Sequence, residues 1–427
     1  MLLFILFAGA AAAQNMDYER ERHRGMLETI RDDIKKNYYD PTFKGIDLDA
    51  KFKAAAEKIK QAGSIGQMSG IVAQFMLDFD DSHLFFLPPG KVNKTDYGFD
   101  MRMIGDNCYV ISVDEKSDAY KQGLRVGDQV YAIEGFGPDR GNFWKIEFFF
   151  NRLRPMTGLR LTIVKPDGAK QEIGFQSKIT PGKQIMDATG GDLNQLIREE
   201  EDSYNRSVKQ YFYDKIDGLF IWKMPHFSLD PTKVDDIVDK ARGSKAMIID
   251  LRGNSGGRVD MVLRLIGNVF ADNVKVYDEK TRKETKEIIA KTRGKDVYGG
   301  KLVVLVDSES ASASEIFSKV VQLEKRGTVI GDQTAGAVME ARHFGHQTGI
   351  DVVAFYGASV TVADLIMKDG KSLEKIGVTP DEKIIPTAKD LASGRDVVLA
   401  RAIEVLGYKL SPEDAGKIFP VVYEARR

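Results

Sequence analysis

The stretch Leu302-Val-Val-Leu-Val-Asp-Ser-Glu-Ser-Ala-Ser-Ala-Ser-Glu315 changes at Asp307 from an unbroken apolar run to small hydroxylated residues. The apolar part reads as a buried strand, and the part from Ser312 as a helix start. A hydroxyl at such a strand-to-helix turn stands above the sheet, where the first-turn N–H groups favour developing negative charge. Ser312 and Glu315 also have the spacing of a capping box, and taken alone the stretch favours that plainer role. Upstream, an apolar run at 246–250 leads into Leu251-Arg-Gly-Asn-Ser-Gly-Gly257 and then another helical pattern. A P-loop would close on Gly-Lys-Ser/Thr, whereas this loop continues into Arg258, Val259 and Asp260. Its glycines leave backbone N–H groups unobstructed, which suits an oxyanion hole.

Around these two loops, apolar runs at 219–224, 246–251, 302–306 and 328–331 alternate with helical patterns at 231–242, 259–270 and from 312. Strands bridged by helices predict a mainly parallel α/β sheet over about 210–410. An extended run at 352–362 and a helix at 397–406 follow, and 411–427 reads as a tail. Near the other end, Met26, Leu27, Ile30, Ile34 and Tyr38 recur at helical spacing before Pro41. Two further amphipathic stretches, at 48–63 and 65–79, make 16–90 a small helical domain closed by Pro88, Pro89 and Gly90.

Between them, at about 95–180, short alternating runs are separated by Gly and Asp, as in a β-rich module. Val113, Ser117, Ala119 and Gly123-Leu-Arg-Val-Gly-Asp128 through Glu134 and Gly135 resemble a PDZ domain. The resemblance implies that Tyr97, Gly98 and Phe99 form a loop whose backbone N–H groups receive a peptide's C-terminal carboxylate while the peptide adds a strand. A generic β-hairpin with a glycine turn is the plainer alternative.

The chain has 427 residues, 43% hydrophobic and 29% charged, with 62 Lys+Arg against 63 Asp+Glu. This is a multi-domain globular composition, without the basic excess of a nucleic-acid binder. One cysteine, Cys108, forms no intramolecular disulfide, and with five histidines it leaves little material for a Cys/His metal site, so no metal and no cofactor is expected. Residues 1–13 are almost wholly apolar and end in Ala10 to Ala13. That is the pattern of a secretory signal peptide, without the usual positive start, and it is too short for a permanent membrane span. Export without disulfides fits a bacterial periplasm or secretion.

Asp250-Leu-Arg-Gly-Asn-Ser-Gly-Gly257, Ser310-Ala-Ser-Ala-Ser-Glu315 and Gly377-Val-Thr-Pro-Asp381 together resemble the C-terminal processing (tail-specific) and tricorn-type serine peptidases. The resemblance implies a helical domain, a PDZ-like domain and an α/β protease core of the ClpP/crotonase-like type. It also implies Ser312 as nucleophile, with Ala313 and either Gly256 or Gly257 as oxyanion hole. The lysine that the tail-specific branch carries about twenty-five residues later is replaced by Ala337. In the tricorn-type branch a Ser-His pair and a glutamate serve instead, and Ser82, His83 and Glu374 stand at the matching positions. His83 would take the proton from Ser312 while Ser82 and Glu374 position it. His343 and His346 read as polar strand or loop residues. The expected partners are protein or peptide substrates, held through free C-termini; the alternative is a catalytically inactive PDZ-containing peptide-binding protein, which the lost lysine favours.

Overall fold

The computed structural model describes residues 2–89, 93–181, 209–349 and 354–423. Gly90, residues 187–207, the first two residues of the run at 352–362 and the end of the tail lie outside these. Three helices open the chain, Leu2–Asn37, Leu48–Gln61 and Ile65–Leu77. The first passes through the stretch expected to be a signal segment. The apolar stripe holds them together, with Met26, Leu27, Ile30, Ile34 and Tyr38 buried against Ile59, Met68, Val72 and Phe75. Asp47 and Ser64 cap the second and third helices by accepting from the N–H groups of Ala50 and Gln67.

After Leu77 the chain turns through Asp81, Ser82 and His83 into the short strand Phe85–Leu87. Asp81, 1% exposed, fixes this turn. Its carboxylate accepts from the Tyr38 hydroxyl at 2.9 Å, the Thr361 hydroxyl at 2.7 Å and the His83 N–H at 3.0 Å. Phe85–Leu87 then pairs antiparallel with the long strand Ala354–Met367, which also pairs with Met339–Thr348 and Val274–Thr281. The turn bearing His83 is therefore fastened to a sheet made from the far end of the chain.

The middle segment forms a five-stranded antiparallel sheet in the order Phe99–Ile104, Asn107–Val113, Gln129–Ile133, Gly158–Val164, Lys170–Gln176. Helix Phe143–Phe148 runs into a π-helical turn, Phe149–Leu153, beside it. Phe99–Ile104 has one strand neighbour among the described residues, so its outer edge is open.

The largest sheet has six strands in the order Glu382–Lys383, Thr328–Gly331, Lys301–Val306, Ala246–Asp250, Leu219–Lys223, Tyr211–Tyr213. All pairings are parallel except the last, as the alternation of strands and helices predicts. Successive residues belong to opposite cores. Met247, Ile249, Val304 and Val306 face the helices Pro231–Ala241, Val259–Val269 and Ala313–Leu323, while Ala246, Ile248, Val303 and Leu305 face the helix Val397–Val405. Burial on both faces is why these strands read as unbroken apolar runs.

The five-stranded sheet is clamped to this core by Arg102, whose guanidinium meets Asp307 at 2.8 Å and Glu309 at 2.5 Å, and by Arg140, which meets Asp332 at 2.5 Å. Replacing Arg102 by Met leaves the buried Asp307 and the partly exposed Glu309 without their cation. The variant is expected to lose about 3 kcal/mol of stability, read as a drop in the urea midpoint, and an unchanged midpoint would contradict the clamp.

Candidate active site

Ser312 is the residue between the loop after Val306 and the helix Ala313–Leu323. Its backbone is at φ 53° and ψ −115°, a left-handed conformation that an L side chain adopts at a cost of about 1–3 kcal/mol. Glu315 holds it there. This carboxylate, with no exposed surface, accepts from Ser312 N–H at 3.0 Å, Ala337 N–H at 3.0 Å, Gly336 N–H at 2.8 Å and the Thr334 hydroxyl at 2.6 Å. Burial pushes its carboxyl up to about 7 against the pull of those four donors. The capping spacing is thus real: the Glu315 side chain returns to the Ser312 N–H, and the Glu315 N–H also goes to the Ser312 carbonyl at 2.9 Å.

The three serines of the run differ in what their hydroxyls do. Ser310 donates to the Leu251 carbonyl at 2.8 Å and accepts from Asp307 N–H at 3.0 Å. Ser314 donates to the Asn254 carbonyl at 2.9 Å. The Ser312 hydroxyl donates to no group among the described residues. Two serines build the loop and the third is left available.

The glycine loop lies directly against this turn. A Cβ on Gly256 would stand 2.7 Å from Ser312 Cβ and 3.0 Å from Ala313 N, so only glycine permits the approach. Buried Asn254 staples the two loops together: its carbonyl also accepts from Ala311 N–H at 3.0 Å, its side-chain amide donates to Met224, and its Oδ1 accepts from Gly256 N–H at 2.9 Å. Gly256 has therefore already given away its N–H. Gly257 has not, because the bridge to Phe227 uses the Gly256 carbonyl and the Arg258 N–H, which turns Gly257's own N–H to the opposite side. Among the described residues, neither Ala313 N–H nor Gly257 N–H has an acceptor.

Ser82, His83 and Glu374 are brought together. His83 Nδ1 lies 2.7 Å from Ser82 Oγ, and that hydroxyl donates to Glu374 Oε2 at 2.8 Å while Ser82 N–H donates to Oε1 at 2.9 Å. Glu374 Oε2 also accepts from Val338 N–H at 3.1 Å, and the neighbouring Ala337 carbonyl accepts from Ser312 N–H at 2.9 Å. One chain of hydrogen bonds thus runs from the imidazole to the Ser312 backbone. Because the single Ser82 proton goes to a carboxylate, Nδ1 must carry a proton to bond Ser82 Oγ, and Nε2 is left with its lone pair. Burial, partly opposed by the Asp81 charge, lowers the His83 pKa below its ordinary value. Burial raises that of Glu374.

The glutamate reaches this position because the Gly377-Val-Thr-Pro-Asp381 motif docks on the 334–337 loop. Lys375 N–H bonds the Gly336 carbonyl at 2.7 Å and Val378 N–H bonds the Thr334 hydroxyl at 2.6 Å. His343 and His346 lie on the strand Met339–Thr348; His346 Nε2 meets Asp33 at 2.6 Å, and the His343 ring packs edge-on to Phe85. Sequence reasoning passed over Asp81 and Asn254 and took Glu315 for a cap alone. Of the expected peptide loop, Tyr97 is buried with its hydroxyl between the Phe150 carbonyl and Met156 N–H, and Gly98 N–H is donated to Asp96 at 2.9 Å.

A parallel α/β core that presents a strained serine beside unpaired backbone N–H groups is the construction of a serine-type peptidase domain. Residues 221–384 match Peptidase family S41. It is 24% identical to a probable CtpA-like serine protease of Staphylococcus haemolyticus over 95% of this chain and 78% of that one. It is 27% identical to the tail-specific protease of Haemophilus influenzae over 60% of this chain, a match that spans 36% of the relative's length. The crystal structure of mature CPAF superposes with a TM-score of 0.66 at 15% identity, covering 88% of this chain and 94% of that one, a likeness of fold.

The three serines should separate cleanly in stability. Ser310→Ala strands the Asp307 N–H and takes one of two donors from the Leu251 carbonyl, and is expected to cost about 1–3 kcal/mol, whereas Ser312→Ala, whose hydroxyl donates to no group among the described residues, should unfold at nearly the wild-type urea concentration. Equal losses in both would contradict the division of roles.

Proposed function

We propose that the protein is a serine endopeptidase acting on protein or peptide substrates through Ser312 and His83. The observation that carries this is the one hydroxyl of the serine run that donates to no group among the described residues, set beside two unpaired N–H groups, with its backbone joined by hydrogen bonds to an imidazole with a free Nε2. Ser312 Oγ attacks the scissile carbonyl and its proton passes to His83 Nε2. Ala313 and Gly257 N–H groups receive the oxyanion. The leaving amine takes the proton from His83, and a water deprotonated by the same nitrogen hydrolyses the ester. Ser82 and Glu374 fix the tautomer and favour the imidazolium that forms. Ala337 supplies no base, and its carbonyl steadies the Ser312 backbone instead.

The five-stranded sheet serves in this proposal as a PDZ-like module, with the open edge Phe99–Ile104 taking an added strand of substrate from its start at Tyr97, Gly98 and Phe99. Export to a bacterial periplasm or beyond is proposed from the apolar residues 1–13. Among the described residues no helix is long and apolar enough to cross a membrane.

Ser312→Ala and His83→Ala are each expected to lower peptide hydrolysis by about 10⁴-fold. Glu374→Gln should cost less, since its amide oxygen can still accept from Ser82. A peptidase-active Ser312→Ala would overturn the assignment. The pH dependence has a definite sign: the base must be neutral, and its pKa lies below the ordinary value of about 6.5. Plotted against pH, kcat/KM should therefore rise through a midpoint below that value and level off by neutrality. A midpoint on the alkaline side of neutrality would point to a different base.

A further inference from the structure

The C-terminal segment does not stay on the protease core. Beyond the helix Pro412–Gly416, residues Phe419, Pro420 and Val421 run along a cavity of about 360 Å³ between the core and the five-stranded sheet. Val421 and Val422 are 65% and 71% exposed, and then Tyr423 turns in. It enters the groove formed by Phe99 and Met101 of the open-edged strand and by Ile146 and Phe150 opposite. Its hydroxyl hydrogen-bonds Asp96 Oδ1. About 30 Å³ remains there, room for no more than about two waters. The groove that an added strand would use is occupied by the chain itself.

The mouth of this groove is acidic. Asp96, Asp100 and Asp114 all act on the Tyr423 phenol, which burial and these carboxylates drive well above its usual range. Of the backbone donors expected to hold a terminal carboxylate, Gly98 N–H is already spent on Asp96. A carboxylate placed here would face three like charges, whereas a hydroxyl can donate to them.

We infer that Phe419–Tyr423 is a ligand in cis of the PDZ-like groove. A substrate segment must displace it, and the groove selects an apolar strand carrying a hydrogen-bond donor in place of a free C-terminus. This rests on the sheet being a peptide-binding module. A tethered occupant acts at an effective concentration on the order of millimolar, so it competes well even when its intrinsic affinity is modest.

The test is fluorescence anisotropy with a dye-labelled peptide of residues 417–423, ending in an amide. It is titrated against the full chain, the full chain with Tyr423→Phe, and a variant lacking 420–427. The truncated variant should bind at least about tenfold more tightly than the full chain, with Tyr423→Phe between them, and the free-acid peptide should bind no better than the amide. If truncation prevents folding, Tyr423→Phe carries the test and must still bind more tightly than the unaltered chain. Equal binding by all three proteins would overturn the cis ligand while leaving the groove a peptide site. No binding by any would remove the peptide-binding reading itself, and tighter binding of the free acid would overturn the preference for a donor.

Discussion

The carboxylate of Glu374 accepts hydrogen bonds from Ser82, 292 residues earlier in the chain, and from Val338, next to the residue that bonds the Ser312 backbone. Much of the site follows from that single group. It brings the helical N-terminal segment to the protease core, fixes the direction of the Ser82 proton, and through Ser82 decides which imidazole nitrogen stays basic. A site whose proposed base lies 229 residues before its proposed nucleophile in the chain needs such a joint. The Phe85–Leu87 pairing and the Asp81 contacts hold the same turn from its other side.

Buried carboxylates recur as organisers. Asp81 gathers a tyrosine, a threonine and the His83 backbone; Glu315 gathers four donors beneath Ser312; Glu374 gathers three. Each has both oxygens hydrogen-bonded, the condition under which such polar networks give one rigid arrangement. The strain at Ser312 persists because Glu315 and the close approach of Gly256 leave it no relaxed alternative.

The layered core was legible in the amino-acid sequence because its strands are buried on both faces and its helices keep one apolar stripe, so periodicity carries the information. The two loops were legible because glycine and small residues are required wherever backbones approach as closely as Gly256 approaches Ser312. Ser82, His83 and Glu374 were reached through resemblance, since nothing local in their segments shows that they meet. Asp81 and Asn254 escaped because a buried, fully bonded carboxylate or amide looks like any surface polar residue until its partners are known. The choice between Gly256 and Gly257 depends on which N–H Asn254 consumes, a matter of loop conformation that composition does not carry. The Tyr423 contact escaped for a similar reason: a five-residue strap has no periodicity.

The central claim is that Ser312 is made nucleophilic by His83. Its most direct measurement is intact-protein mass spectrometry after exposure to a fluorophosphonate, with peptide mapping of the adduct, on the unaltered chain and on His83→Gln. One adduct is expected, located on Ser312, forming rapidly in the first protein and slower by orders of magnitude in the second. An adduct on Ser310 or Ser314, or the same labelling rate in both proteins, would contradict it.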